Sequence, residues 1–538
     1  MTDINPADGN TLSSSPTGEK HNGSSEMLEH VKTEQTMLLS STLYLRTTKF
    51  MVFFAAWVGL GGWLINFDLG YTGIVLQMQP YNRSFGECKV VSSPDGGPSK
   101  TVCALTAGEQ SVVSIYVLFL SLGSGFSSLA GSYFGRRVVL QMGCLVTAVG
   151  AAGMLGTAGN YVAYCVCKCI SGFGLGFIST TAPMYGTECT PAKTRGILVA
   201  CYSVGLALGQ VVVSAVCLGS SKLLNDWCWK IPILCQIPIA VIYAIGLLMF
   251  PESPRWLLVM EKEDEARRAL GRFYSFDPYS DEVSAQLREI QRTIDQEKSE
   301  KAAVAPQEIF SRAHRMRTFA ATSIVIGSSL SGINFVVPYA TIWLADLGIK
   351  SPFAITVYLN LCIFGGCLIG PFACQYLGRR LTLLSGYAGM SACMLIIAAV
   401  SSGLGSSNML ARQVLVGFLC IWNFIFGGFN ASTVWLCSSE QHSVRYRTYG
   451  QAFSMTINYI FNFASNFWTP YMINEEYGNM GTNVGYFYFG LTTFYFIFMF
   501  LILPETGSLT LEQIDHYYDS REKAWRTSLR KNKKLQAR

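Results

Sequence analysis

The sequence predicts an all-α membrane protein of twelve transmembrane helices, in two groups of six joined by a polar helical linker. Three observations carry this. Only 14% of the 538 residues are charged and half are hydrophobic, whereas a soluble chain carries about 25% charged residues. Twelve apolar runs are long enough to cross a bilayer, which takes roughly 20 residues each. The two groups of six also echo each other in sequence.

The runs are 50–79, 108–133, 138–158, 160–184, 196–220, 230–250, 319–346, 352–376, 382–403, 409–437, 448–471 and 484–503. Residues 1–49 are polar and Ser-rich, show no secretory leader, and read as a disordered tail. Residues 50–250 and 319–503 form the two six-helix groups. Between them, 251–318 contains "EKEDEARRALGRFY" and "DEVSAQLREIQRTIDQEKSEK", two amphipathic helices of mixed charge. Residues 504–538 form a C-terminal tail.

The net charge of +6 is no nucleic-acid signal; its placement matters more. "GRRVV", "TPAKTRG", "GRRL" and "RYR" alternate with links poor in Lys and Arg. Basic links lie on the cytoplasmic side, so both termini and the linker are expected there. Most of the 17 cysteines fall within spans, as small packing residues. Cys88 and Cys103 share the first outer loop and are disulfide candidates, and Asn82 opens a glycosylation sequon beside them. Asn430 opens another, but inside a span. No His or Cys spacing suggests a metal, and no nucleotide or nucleophile motif suggests a cofactor or an enzyme.

"GSYFGRR" (131–137) is matched by "CQYLGRR" (374–380). Glu188 and Arg195 have the same spacing as Glu440 and Arg447. Each echo follows the second or the fourth span of its half, as in transporters built from structural repeats. Arg136, Arg137, Arg195, Arg379, Arg380 and Arg447 thus face Glu188 and Glu440 at one end. Such arginines can bond the terminal carbonyls of a neighbouring helix and pair with carboxylates. The cluster is expected to latch the halves together at the cytoplasmic side; the plainer alternative is that it only sets topology.

"PESPRWLL" (251–258), "PETGSLTLEQID" (504–515), "PMYGTECTPAKTRG" (183–196), "WKIPILCQIP" (229–238) and the two GRR links resemble the sugar porter branch of the major facilitator superfamily. The resemblance covers about residues 50–520. It implies two six-helix bundles around a central cavity that opens alternately to each side, in a monomer of the plasma membrane. The tail and linker look fungal. The acidic and basic residues that the family carries before GRR are replaced by Ser132 and Tyr133, and by Gln375 and Tyr376.

The resemblance also assigns a substrate site. The family's two adjacent glutamines on the seventh span fall at Ser328 and Ser329, ahead of the matching Ser331, Gly332, Ile333 and Asn334. A third glutamine position is Ser203. Trp435 and Asn462 stand at later sugar contacts. A carboxamide offers one acceptor and two donors where serine keeps one short hydroxyl. The expected substrate is therefore polyhydroxylated but bulkier or less polar than glucose: a glycoside, a disaccharide, a cyclitol-type acid or a secondary metabolite. Phe335, Tyr339, Trp343, Trp435, Tyr459 and Trp468 are expected to supply aromatic surface, and Pro338 a local helix break.

Asp68 lies within the first span, where a carboxylate is expensive and a functional candidate. The family's proton site has an aspartate there and an arginine on the fourth span; here the second position is Lys168. The implied function is secondary transport of a sugar-like solute with proton symport. A facilitator or exporter, and a nutrient sensor, are the alternatives.

Overall fold

In a computed structural model the described residues are 48–536 without 92–99, 191–194, 302–305, 313, 347–350, 406–407, 432, 443–446, 475, 508, 510 and 521–522. The expected N-terminal tail up to residue 47 lies outside them. Among the described residues, eleven helices are long and apolar enough to cross a membrane: Lys49–Val75, Ala107–Phe134, Arg136–Leu155, Tyr161–Cys189, Cys201–Ser220, Trp227–Met249, Arg315–Thr341, Pro352–Leu377, Arg379–Leu404, Met409–Gln441 and Val484–Ile502. The remaining expected span is the 27-residue helix Arg447–Ile473. It is long enough, about 40 Å at the α-helical rise. It is less apolar because Ser454, Asn458, Asn462, Ser465, Asn466 and Thr469 punctuate it. A span this polar turns those groups toward protein rather than lipid.

The linker helices form as expected, at Glu263–Tyr274 and Asp281–Lys301, after a short turn of helix at Pro254–Val259. They pack on the first six-helix group. The Thr48 hydroxyl caps the first span by accepting from Met51 N and donates to Phe273 O at 2.7 Å. The Phe273 ring lies 5.1 Å from Phe54. The C-terminal segment is more than a tail. Leu511–Ser520 and Leu529–Gln536 fold back, and buried Asn532 donates to the carbonyls of Glu505 and Gly507, each at 2.9 Å.

Glu87–Val91 and Lys100–Ala104 make an antiparallel hairpin in the first outer loop, with Cys88 opposite Cys103 and a disulfide between them. Asn82 lies half-buried in the helix Gln79–Phe85, with its side-chain oxygen buried.

We call the end that carries the GRR links the basic end. The halves meet toward the other, far end. A Cβ at Gly73 of the first span would collide with the Pro338 carbonyl of the seventh. Ser111 donates to Phe467 O at 2.8 Å, joining the second and eleventh spans. Asn360 reaches Gln210 O at 3.5 Å, joining the eighth and fifth.

The seventh span does break, but five residues or more before Pro338. Its helix gives way to a π-type turn at Ser329–Ile333, where Gly332 has φ 105°. Side chains other than glycine resist that conformation. Pro338 lies inside the continuing helix Asn334–Asp346, and its carbonyl forms the seal against Gly73. The tenth span has a second π-type turn at Phe426–Ala431.

Replacing Gly73 by leucine leaves no room for the far-end contact. Gly73→Leu should raise the labelling of a Ser111→Cys reporter by an impermeant maleimide applied from the far side. Equal labelling with and without the leucine would remove the Gly73–Pro338 contact as the seal.

Candidate functional site

The first centre is a buried ion pair. Asp68 and Lys168 are 0% and 1% exposed, with Nζ 2.8 Å from Oδ2. The other ammonium protons are also satisfied: Nζ lies 3.2 Å from the Asp68 carbonyl and 3.0 Å from the Tyr71 hydroxyl. Tyr71 in turn donates to Asp68 Oδ1 at 2.9 Å, closing a ring of three residues. Ser171 offers a longer bond to the same oxygen, at 3.4 Å, and Gln236 of the sixth span donates to Ser171 at 3.4 Å. The ammonium also lies 4.2 Å from the Tyr71 ring centre and 4.8 Å from that of Tyr116. Sequence reasoning named Asp68 and Lys168 and missed Tyr71, Ser171 and Gln236. Two of these carried a signal: Tyr71 follows Asp68 by three positions, and Ser171 follows Lys168 by three, so each shares a helix face with its partner.

The second centre surrounds the broken seventh span. Asn334 donates to Asn462 Oδ1 at 2.7 Å and to Ser329 O at 3.1 Å. Buried Ser329 donates to Asn458 Oδ1 at 2.6 Å. Ser328 is half-buried, and its carbonyl accepts from the Ser331 hydroxyl. Ser329, Asn334 and Asn462 therefore come together, and Asn458 joins them. Asn458 lies one helical turn before Asn462, the position the resemblance assigns. Ser203, half-buried on the fifth span, lies one helical turn before Ala207, which packs against Ile363 and Cys367 of the other half. Trp435 is 41% exposed, one step beyond the break in the tenth span.

The expected aromatic surface is largely elsewhere. Phe335, Tyr339 and Trp343 are buried, at 0%, 3% and 2% exposure. Phe335 stacks on Tyr488 with centroids 5.3 Å apart, Tyr339 donates to Asn466 O, and Trp343 donates to Gly481 O. They belong to a buried hydrophobic cluster that takes in residues of both halves. Tyr459 does approach the first half, packing with its buried cluster.

The third centre is the pair of charge clusters at the basic end, and they repeat closely. Arg136 forms a two-pronged pair with Glu188, at 3.0 and 2.9 Å. Arg379 does so with Glu440, at 3.3 and 3.1 Å. Ser253 donates to Glu188, as Thr506 does to Glu440. Glu252 accepts from the backbone N–H groups of Arg136 and Arg137, and Glu505 from those of Arg379 and Arg380. These two carboxylates cap the third and ninth spans, where the helix dipole favours negative charge. Arg137 donates to Phe250 O, and Arg380 to Leu503 O and Phe500 O. Both ion pairs close within one half, so in this state they brace each half rather than latch one to the other. The reason is geometric: the PES and PET segments bring Glu252, Ser253, Glu505 and Thr506 to the arginines of their own half. The side chains of Arg195 and Arg447 lie outside the described residues.

Two outcomes follow. Lys168→Met strands a buried carboxylate, and breaking such a pair costs about 3–5 kcal/mol. Asp68→Asn combined with Lys168→Met should be more stable to heat than Lys168→Met alone; the reverse order would deny that the two charges answer each other. Glu252→Gln and Glu505→Gln should each lower stability by about 0.5–2 kcal/mol, the range for a lost helix cap. Thermal unfolding in detergent reads this, and two unchanged midpoints would reduce the carboxylates to surface charges.

Comparison with known proteins agrees with this geometry. Residues 54–518 match the family model described as sugar (and other) transporter. The high-affinity glucose transporter ght2 of Schizosaccharomyces pombe is 28% identical over 488 residues, covering 89% of each chain. The probable glucose transporter rco-3 of Neurospora crassa is 26% identical over 480 residues, covering 87% of this chain and 79% of the relative. Among solved structures, the xylose transporter XylE from E. coli in a partially occluded inward open conformation superposes with a TM-score of 0.69. That match covers 85% of this chain and 99% of XylE at 18% identity, and it speaks to the fold. With its helical spans in two repeated halves and a family match over most of its length, the chain belongs to the sugar transporter family of the major facilitator fold.

Proposed function

We propose that this chain carries a sugar-like, polyhydroxylated solute across the plasma membrane by alternating access, in symport with a proton, as a monomer with both termini in the cytoplasm. The single observation that carries the coupling is the fully buried Asp68–Lys168 pair. Such a pair costs several kcal/mol per ion to desolvate, and intramembrane ionisable groups mark ion pathways. The relatives are named glucose and fructose transporters, and one XylE structure is titled a proton:xylose symporter.

The mechanism follows from the bonds around Asp68. Protonation removes the carboxylate charge and weakens its hold on Lys168. The ammonium then keeps the Tyr71 oxygen and the Asp68 carbonyl, both on the first span, so the tie between the first and fourth spans is loosened rather than lost. Deprotonation restores the ring. Because Lys is a point charge rather than a planar fork, one proton removes the strongest of its ties to the first span.

The substrate end is built of short hydroxyls and asparagine amides. Ser329 is committed to Asn458, and Asn334 to Asn462. Compared with three glutamines this leaves more volume and fewer long donors, which supports a substrate larger or less polar than a free hexose. Orientation with the basic end inside rests on the positive-inside rule.

Two measurements bear on this reading. In proteoliposomes, Asp68→Asn should abolish accumulation driven by a pH gradient while leaving exchange; unchanged uphill uptake would favour a facilitator or an exporter. Restoring Gln at Ser203, Ser328 and Ser329 should improve competition by glucose. It should also weaken native-substrate binding about tenfold, since overpacking costs roughly 1–3 kcal/mol. A wild type that already takes glucose with high affinity, unchanged by the three substitutions, would defeat the specificity reading.

A further inference from the structure

The two halves repeat each other at the basic end until the chain leaves the sixth and twelfth spans. There they part. After the sixth span, the linker neutralises itself: Arg267 pairs with Glu263 at 2.7 Å, and Lys262 with Glu265 at 3.6 Å. After the twelfth, residues 523–536 read "KAWRTSLRKNKKLQ", with six Lys or Arg and no acid. Lys523, Arg526, Arg530, Lys531, Lys533 and Lys534 are all exposed. None of the six joins an ion pair among the described residues.

This charge is fixed in place. Asn532 is 5% exposed, and its Nδ2 bonds the carbonyls of Glu505 and Gly507, three and five residues past the end of the twelfth span at Ile502. Glu505 N donates to Thr527 Oγ1 at 2.8 Å. The helix Leu529–Gln536 is thereby held next to the end of a membrane span with its cations exposed, Lys531 also donating to the Arg526 carbonyl at 2.6 Å. Trp525, 43% exposed and with Lys523 5.2 Å from its ring centre, stands on the same segment. Tryptophan is enriched at membrane–water interfaces. Clustered cations beside a span attract anionic headgroups, and the attraction falls off within a Debye length.

We propose that residues 523–536 form a docking surface for the anionic phospholipids of the leaflet at the basic end. The occupant is the lipid surface, because the cations sit at the end of a span and pair with no acid among the described residues. The proposal rests on the reading that this end is cytoplasmic only for which leaflet is meant. Bound lipid would brace Glu505, whose carboxylate caps the ninth span, so the surface connects membrane charge to the cluster around Arg379 and Glu440.

The test is amide hydrogen exchange of residues 523–536 in the full chain. It compares nanodiscs of phosphatidylcholine with nanodiscs holding about 30% phosphatidylserine, an anionic surface. Nanodiscs expose both faces and need no substrate, so the result is independent of transport and of orientation. Exchange should slow about tenfold in the anionic discs. The slowing should vanish at high salt and in a variant with Arg530→Gln, Lys531→Gln, Lys533→Gln and Lys534→Gln. The salt arm, done on wild type, keeps the proposal testable if that variant folds poorly. Equal exchange in the two lipids overturns the proposal. So does protection by polyglutamate or by inorganic phosphate with none from phosphatidylserine, which would assign the surface to an acidic protein or a free anion.

Discussion

A carboxylate and an ammonium are held at the centre of a membrane bundle with essentially no exposure, and the first half is arranged around that constraint. Each ion loses several kcal/mol of hydration, so every charge-bearing atom must find a partner. Lys168 spends its three protons on Asp68 Oδ2, the Asp68 carbonyl and Tyr71. Asp68 receives Tyr71 and, more weakly, Ser171. Gln236 extends the network to the sixth span. A site this completely satisfied is stable in one protonation state and unbalanced in the other. Local chemistry of that kind can bias a bundle between two arrangements.

The basic end solves a different problem. Helices that start at a membrane surface leave N–H groups without partners. Here Glu252 and Glu505 fill that role for the third and ninth spans, while Arg137 and Arg380, the second residues of those spans, bond carbonyls at the ends of the sixth and twelfth. The same residues that fix topology by charge thus join the ends of neighbouring helices within each half. The halves are left free to meet or part as units, and they meet here at the far end through Gly73, Pro338, Ser111 and Phe467.

The fold was legible because membrane spans announce themselves by length and composition, and because the repeat doubled each signal. Arg447–Ile473 is the instructive case, a span whose polar face lowers its hydropathy because it serves the site. Residues of the site were legible where chemistry is unusual for its surroundings, as with Asp68. They were less so where direction matters. Phe335, Tyr339 and Trp343 recur every four residues and so share a face, but spacing does not say which neighbour that face meets; it meets the core. Glu252 and Glu505 were quoted in their motifs without a role, since capping a helix more than a hundred residues away leaves no local trace. The break at Gly332 was assigned to Pro338 because proline removes a donor, whereas the observed break uses a backbone angle that glycine tolerates.

The central claim is that substrate and proton move together through the state of Asp68. The direct measurement is proton flux. Purified protein in proteoliposomes, with the membrane potential clamped at zero, is challenged with a panel of hexoses, disaccharides and glycosides while an enclosed pH dye is read. The account predicts that each transported solute acidifies the lumen in fixed proportion to its uptake, and that Asp68→Asn takes up solute by exchange with no pH change. Solute uptake by wild type with no proton movement at any pH would contradict it.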